Sequence, residues 1–295
     1  MNPLLPWLAR RPLRHLHAVG AFLGWVAYLG SRSYRQRLKT NAAMAGVSVA
    51  ARKASVGEAG KLLMELPRLW LRPAGVAIND PVSWEGAEFV QQALDGGRGL
   101  VLLTPHLGSF EVAAQAYAER FGAQQPISVL YRPARQAWLR ELEETARARP
   151  HLETAAANLA GVRQLMRALR QGQTLGMLPD QVPPQGLGVW APFFGQTAYT
   201  MTLAPKLAQQ SGAAVLSIFA ERLPRGGGYA VRVAPLTDPL PTREGMTEVG
   251  WLTAAAAAIN RSMEALISQQ PSQYLWGYHR YKQPRSLGRP PEQAS

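Results

Sequence analysis

Three short stretches of the chain hold side chains in combinations that can do chemistry. The first is Pro105-His106-Leu107-Gly108-Ser109-Phe110-Glu111, a histidine and an acid five residues apart across a glycine-containing turn. On one continuous helix that offset would splay the two side chains. With His106 in a loop and Glu111 in the first turn of a helix, they can meet. A neutral imidazole accepts a proton near pH 7, and a carboxylate on its other nitrogen selects the tautomer and balances the imidazolium. Such a pair has no nucleophile of its own and would activate a hydroxyl supplied by a substrate. The second stretch is Tyr131-Arg132-Pro133-Ala134-Arg135, where two arginines about a stiffened turn suit a phosphate or carboxylate clamp; a solvated basic loop reads equally well. The third is Leu178-Pro179-Asp180-Gln181, which runs through prolines to Pro192-Phe193-Phe194-Gly195. Its acid can orient a substrate, and its aromatic pair can line an apolar pocket; taken alone, it is a turn with a hydrophobic anchor.

These stretches must be positioned by regular elements, and each follows a predicted strand, where α/β folds place their ligands. The apolar run 99–104, bounded by Gly and Pro, reads as a buried strand, and residues 110–120 as the helix after it. Further strands are predicted at 126–131, 173–178, 213–220 and 229–233. Helices are predicted at 40–72, 136–149, 158–171, 202–211 and 247–269. This alternation predicts an α/β domain with helices packed on a mostly parallel sheet. The expected organisation is an N-terminal basic and hydrophobic segment over 1–40, one catalytic domain over 41–285 and a loose polar tail over 286–295.

Other chemistries lack their signatures. No GxSxG elbow is present, since Ser109 is followed by Phe110 and Glu111. Neither Walker A nor GxGxxG occurs, because Gly96-Gly97-Arg98-Gly99 precedes a strand. There is no HExxH, and the histidines are scattered at 15, 17, 106, 151 and 279, so no metal site is expected. The absence of cysteine removes disulfides, thiolate metal sites and a thiol nucleophile.

The 295 residues carry a formal charge of +13 and are 47% hydrophobic, which fits a folded domain with an anionic partner. Most of the charge is N-terminal: residues 1–72 hold 12 Lys and Arg against Glu58 and Glu65 alone. The same region holds the uncharged run Ala18–Gly30, with Arg10, Arg11 and Arg14 before it and Arg32, Arg35, Arg37 and Lys39 after it. A spanning helix needs about 20 apolar residues, and this run is shorter. It is read as a membrane-inserted or interfacial helix, with Trp7, Trp25 and Tyr28 as anchors; a buried core helix with a basic face is the plainer alternative. No motif for nucleic acid accompanies the charge.

Taken together and in order, the motifs resemble the late acyltransferases of lipid A biosynthesis, within the glycerophosphate acyltransferase-like superfamily with its histidine-x4-acid motif. The resemblance rests on PHLGSFE at 105–111, YRPAR at 131–135, the helix around Arg163, LPDQ at 178–181, APFFGQTAYT at 191–200 and QYLWGYHRYK at 273–282. It implies a mostly parallel mixed sheet flanked by helices. It also implies transfer of an acyl chain from acyl carrier protein to a hydroxyl of a lipid A precursor, at the cytoplasmic face of a bacterial inner membrane. His106 then maps onto the general base and Glu111 onto its acid partner. Arg132, Arg135, Arg163, Asp180 and Gln181 fall among the substrate-binding candidates, and Phe193, Phe194 and Tyr199 are candidates for an acyl pocket. Where the wider superfamily has Glu-Gly and then Arg, this chain has Asp180-Gln181 followed by Val-Pro-Pro, which suits the lipid A branch. A thioester donor calls for no metal or organic cofactor. The three implied partners, an acidic carrier protein, a phosphorylated lipid and an anionic membrane, all match the basic charge. Two other readings stand beside this one: the same chemistry on a lysophospholipid, glycolipid or ornithine lipid, and a non-enzymatic protein that binds membranes or nucleic acid.

Overall fold

A computed structural model describes residues 4–132, 134, 136, 140, 143 and 146–284. Four helices open the chain: α1 (Leu4–Ala9), α2 (Leu13–Gly30), α3 (Arg32–Met44) and α4 (Val49–Trp70). There follow β1 (Val82–Glu85), α5 (Ala87–Asp95), β2 (Leu100–Leu103), α6 (Phe110–Arg120), β3 (Ile127–Tyr131), β4 (Leu152–Ala156), α7 (Leu159–Arg170) and β5 (Thr174–Met177). The last part holds a hairpin of β6 (Gly188–Phe193) and β7 (Gln196–Met201), then α8 (Leu203–Ser211), β8 (Ala214–Arg222), β9 (Tyr229–Pro235) and α9 (Glu248–Gln269).

Seven strands form one sheet in the order β1-β9-β8-β2-β5-β3-β4. Every neighbouring pair is parallel except β8 with β9. The sheet is therefore mixed and mostly parallel. Helices cover both faces, which is why β2 is apolar at every position: Val101 and Leu103 pack into one core with α7, α8 and α9, while Leu100 and Leu102 pack into the other with α5 and α6. The expected strands and helices in this part lie where the hydrophobic pattern placed them. Half of the expected helix 136–149 and all of the tail 286–295 lie outside the described residues.

Three features differ from the sequence expectation. The helix expected over 40–72 is two helices. The chain turns at Gly46, whose φ is +66°, and restarts with the Ser48 hydroxyl accepting from the Ala51 N–H at 3.2 Å. Residues 188–201, where no strand is predicted, form a hairpin whose two-residue turn has φ of 47° at Phe194 and 70° at Gly195, the positive pair that matches the twist of two antiparallel strands. The expected boundary at residue 40 lies inside α3, whose Leu38 and Ala42 are buried in the same core as β2.

The apolar run of the N-terminus is the outer part of α2. On one side α2 lies against α4 through glycines. A Cβ on Gly60 would stand 1.9 Å from the Gly20 carbonyl oxygen, and one on Gly24 would stand 2.3 Å from that of Val56, so only glycine allows this approach. Behind this contact, the buried Glu65 of α4 accepts from the Tyr229 hydroxyl at 3.2 Å and pairs with Arg222 at 3.3 Å and His17 at 3.2 Å. The other side of α2 is uncovered, with Phe22 68% and Leu29 66% exposed beside Val19, Leu23 and Val26. Among the described residues no helix is long and apolar enough to cross a membrane.

Candidate active site

The site forms where two parallel neighbours end. Strands β2 and β5 pair with Leu103 beside Met177, so the loops that leave them start about one strand spacing apart. The first brings Pro105-His106 and the second brings Pro179-Asp180-Gln181. His106 Nδ1 meets Asp180 Oδ1 at 2.8 Å, and the His106 backbone N–H donates to Asp180 Oδ2 at 3.0 Å. The Tyr274 hydroxyl donates to that second oxygen at 3.2 Å.

Asp180 is 1% exposed. Burial alone would raise its carboxyl, but the charge of His106, the two hydrogen bonds from that residue and the nearby Arg280 outweigh burial and hold the carboxyl below its ordinary value. An ionised Asp180 can only accept, so Nδ1 carries a proton. The Gln181 side-chain amide donates to Nε2 at 3.0 Å. The imidazole is fixed in orientation by two rings as well. Phe110 meets it edge to face at 5.3 Å between centroids, and Tyr278 stacks on it at 5.8 Å with 12° between planes. The Tyr278 hydroxyl in turn accepts from the Val182 N–H at 3.1 Å, tying the stacked ring to the loop that carries Asp180 and Gln181.

The turn after His106 is bound on both sides. Gly108 N–H donates to the Gln273 carbonyl at 3.1 Å, and Ser109 N–H to the Ala220 carbonyl at 2.7 Å. Gly108 has a φ of +58°, and a Cβ there would stand 2.0 Å from the Ala220 oxygen, so the residue must be glycine. This turn aims His106 at the end of β5.

Glu111, expected to hold the imidazole, does not meet it. It is buried in the first turn of α6, a favourable place for a negative charge, and its Oε1 takes a hydrogen bond from Arg147 at 2.5 Å. Among the described residues no hydrogen bond joins Glu111 to His106. The reason is geometric: the strand next to His106 brings an acid directly under Nδ1, whereas the turn at Gly108 sends Glu111 to the side. The Arg147 guanidinium lies 5.9 Å from the Trp70 ring and 5.6 Å from the Tyr131 ring. Burial works to lower the Arg147 pKa, but Glu111, Glu143 and Tyr131 outweigh it and raise the value.

The other expected residues are distributed unevenly. Gln181 is in the site. Arg132 is exposed at the end of β3, close enough for its charge to act on Tyr278. Arg135 lies outside the described residues. Arg163 is exposed on α7 and bonds to none of these groups. Phe193 and Tyr199 are buried in the hairpin rather than lining an open pocket. Arg280 stacks 4.9 Å over the Phe193 ring, the Tyr199 hydroxyl accepts from Gly186 and Gly188, and the cavity beside Phe193 holds only about 10 Å³. Phe194 packs edge to face on Phe193 and tilts against Trp276. The space there is about that of one water and does not hold an acyl chain.

Sequence reasoning missed Arg147, Tyr274 and Tyr278 as residues of the site. The two tyrosines lie within QYLWGYHRYK, one of the stretches that carry the resemblance, and that was the available signal. Arg147 sits in a charged stretch that carries no local pattern. No group of metal-ligating side chains occurs among the described residues.

Comparison with known proteins agrees with the motifs. The family described as bacterial lipid A biosynthesis acyltransferase matches residues 3–283. The chain is 27% identical over 224 residues to a lipid A biosynthesis palmitoleoyltransferase of Escherichia coli K12, covering 76% of this chain and 68% of that one. It is 26% identical over 198 residues to a lipid A biosynthesis lauroyltransferase of the same organism, covering 67% and 60%. A lipid A biosynthesis acyltransferase of Haemophilus influenzae is 24% identical over 191 residues, covering 65% and 56%.

Proposed function

Since the chain belongs to the bacterial lipid A biosynthesis acyltransferase family, we propose that it moves a fatty acyl chain from a carrier-protein thioester to a hydroxyl of a lipid A precursor, with His106 as general base. The observation that carries this reading is the His106–Asp180 pair. It fixes the imidazole so that Nε2 accepts from the Gln181 amide, and among the described residues no side-chain hydroxyl bonds to that nitrogen, an arrangement that suits a hydroxyl brought by the acceptor.

In this mechanism Nε2 removes the proton of the acceptor hydroxyl as the oxygen attacks the thioester carbonyl. Asp180 holds the tautomer and balances the imidazolium that forms. The tetrahedral intermediate collapses with formation of the ester C–O bond and cleavage of the C–S bond, and His106 returns the proton to the departing thiolate. The Gln181 amide, 3.0 Å from Nε2 in the free site, occupies the place of the acceptor oxygen. On binding it is displaced by a short rotation and donates instead to the developing oxyanion. Arg147, held by Glu111, and Arg132 supply positive charge for the acceptor's phosphates. Glu111 is thus assigned to the arginine rather than to the imidazole.

Attachment to the cytoplasmic face of the inner membrane is part of the proposal. The exposed apolar side of α2 lies between Arg10 and Arg14 at one end and Arg32 at the other, a pattern suited to an interfacial helix on an anionic leaflet.

The test is mass spectrometry of the lipid A fraction from cells with and without the protein. One added acyl chain is expected, with its mass naming the donor length, and His106→Ala should abolish it while the protein still folds and binds membranes. Transfer to a lysophospholipid, glycolipid or ornithine lipid instead would move the reaction to another acceptor. Full transfer by His106→Ala would end the mechanism.

A further inference from the structure

Next to His106 the structure holds a second feature that the chemistry above does not use. An apolar groove of about 430 Å³ runs between α2, α4 and the segment 275–278. Leu23, Ala27, Leu63, Met64, Leu275 and Tyr278 are among its walls. Its size is that of a small-ligand site, and its walls offer almost nothing to a polar guest.

The two ends of the groove say what it is for. At the inner end, the Leu275 N–H donates to the His106 carbonyl at 3.1 Å, and the Tyr278 ring stacks on the imidazole. Two of its walls therefore touch the general base directly. At the outer end, Leu23 is 44% and Leu63 65% exposed, and Leu23 continues into the uncovered apolar stripe of α2 at Val19 and Val26. The groove is thus continuous with that stripe at its mouth, and the Tyr278 ring forms both its wall and the face stacked on the imidazole. The glycines that let α2 and α4 approach also set the depth of the groove, since Gly24 and Gly60 line it.

We propose that this groove holds one acyl chain of the membrane-embedded lipid acceptor during transfer, and so sets the acceptor's hydroxyl against Nε2. The inference rests on the acyltransferase reading and adds the site of the acceptor's tail. The occupant is the acceptor rather than the donor because the mouth opens on the apolar surface assigned to the membrane. The donor chain arrives from water on an acidic carrier and has no reason to enter from the lipid side.

The experiment uses the full chain on anionic vesicles that contain a lipid A precursor with a diazirine in one acyl chain, followed by photolysis and peptide mapping. The expected labels fall on 59–64 and 275–278. Labels confined to α1 and to Phe22 and Leu29 would overturn the proposal. So would labelling of the groove by a diazirine-bearing acyl donor and not by the acceptor. Ala27→Trp and Met64→Trp, checked for unaltered thermal unfolding, fill the groove. In each, the ratio of kcat/KM for the chain-bearing acceptor to that for a deacylated, soluble acceptor should fall about tenfold, which corresponds to the lost burial of roughly two methylenes. An unchanged ratio in both would also overturn the proposal. If the wild-type protein transfers no acyl chain at all, the acyltransferase reading fails, and the labelling pattern still reports independently on the groove.

Discussion

Asp180 grips His106 at two points, with one carboxylate oxygen 2.8 Å from Nδ1 and the other 3.0 Å from the backbone nitrogen of the same residue. Both the ring and the backbone that carries it are thereby set by an acid 74 residues away in sequence. The histidine-x4-acid spacing suggests a different partner, and the two carboxylates can be separated by mutation. Asp180→Asn keeps the shape but presents the wrong hydrogen-bond pattern to Nδ1, so kcat should fall by about 10³–10⁴ with KM little altered, by analogy with an amide in place of a triad aspartate. Glu111→Gln loosens Arg147 instead, and its main effect should be on KM for the phosphorylated acceptor. Steady-state kinetics of the two variants with one acceptor will show whether the effects divide this way; the reverse division would return Glu111 to the imidazole.

The same contact makes stability depend on acid. The Asp180 carboxyl lies below its ordinary value in the folded protein, whereas in the unfolded chain it titrates near the ordinary aspartate value of about 3.9. The unfolded state therefore binds more protons in that range. The stabilisation is fully present above the unfolded value and is lost as pH falls through the depressed folded one. Urea midpoints followed from pH 6 downward should drop less steeply below about pH 4 in Asp180→Asn than in the wild type.

Gln181 caps Nε2, the nitrogen proposed to take the proton. Removing its amide as Gln181→Ala leaves Nε2 free but deletes the proposed oxyanion donor, and kcat should fall by about 10²–10³. If the amide only blocks the base, the variant should instead be as fast as the wild type or faster. A single-turnover assay with saturating acyl donor distinguishes the two.

Membrane binding should be separable from catalysis. Arg10, Arg14 and Arg32 are exposed, whereas Arg37 donates to the Gly277 carbonyl beside the stacked Tyr278 and must be left intact. At about 1 kcal/mol for each basic residue near an anionic surface, reversing the three to Glu should weaken binding to anionic vesicles by roughly a hundredfold or more. Transfer to a detergent-dispersed acceptor should persist. Vesicle co-sedimentation paired with that assay checks the claim, and equal loss of both would refute it.

The sequence by itself determined the parts of this protein that depend on neighbours along the chain. The unbroken apolar run 100–103 makes β2 a strand buried on both faces, and the punctuation after it puts His106 at the strand end. The three-to-four-residue periodicity of 159–170 and 248–269 makes helices, and PHLGSFE and LPDQ announce the chemistry. What only the tertiary structure decided depends on elements that meet across the chain. The partner of His106 follows from β2 pairing with β5 in the register that sets Leu103 beside Met177, and nothing within either segment encodes that register. Burial of Phe193 and Tyr199 follows from the hairpin folding over Arg280, which leaves no room there for a chain. The N-terminal apolar run was legible as a helix. That one side of it is consumed by the glycines of α4, and that the remaining groove is walled by the Tyr278 ring stacked on His106, follows from a backbone approach that no composition count contains.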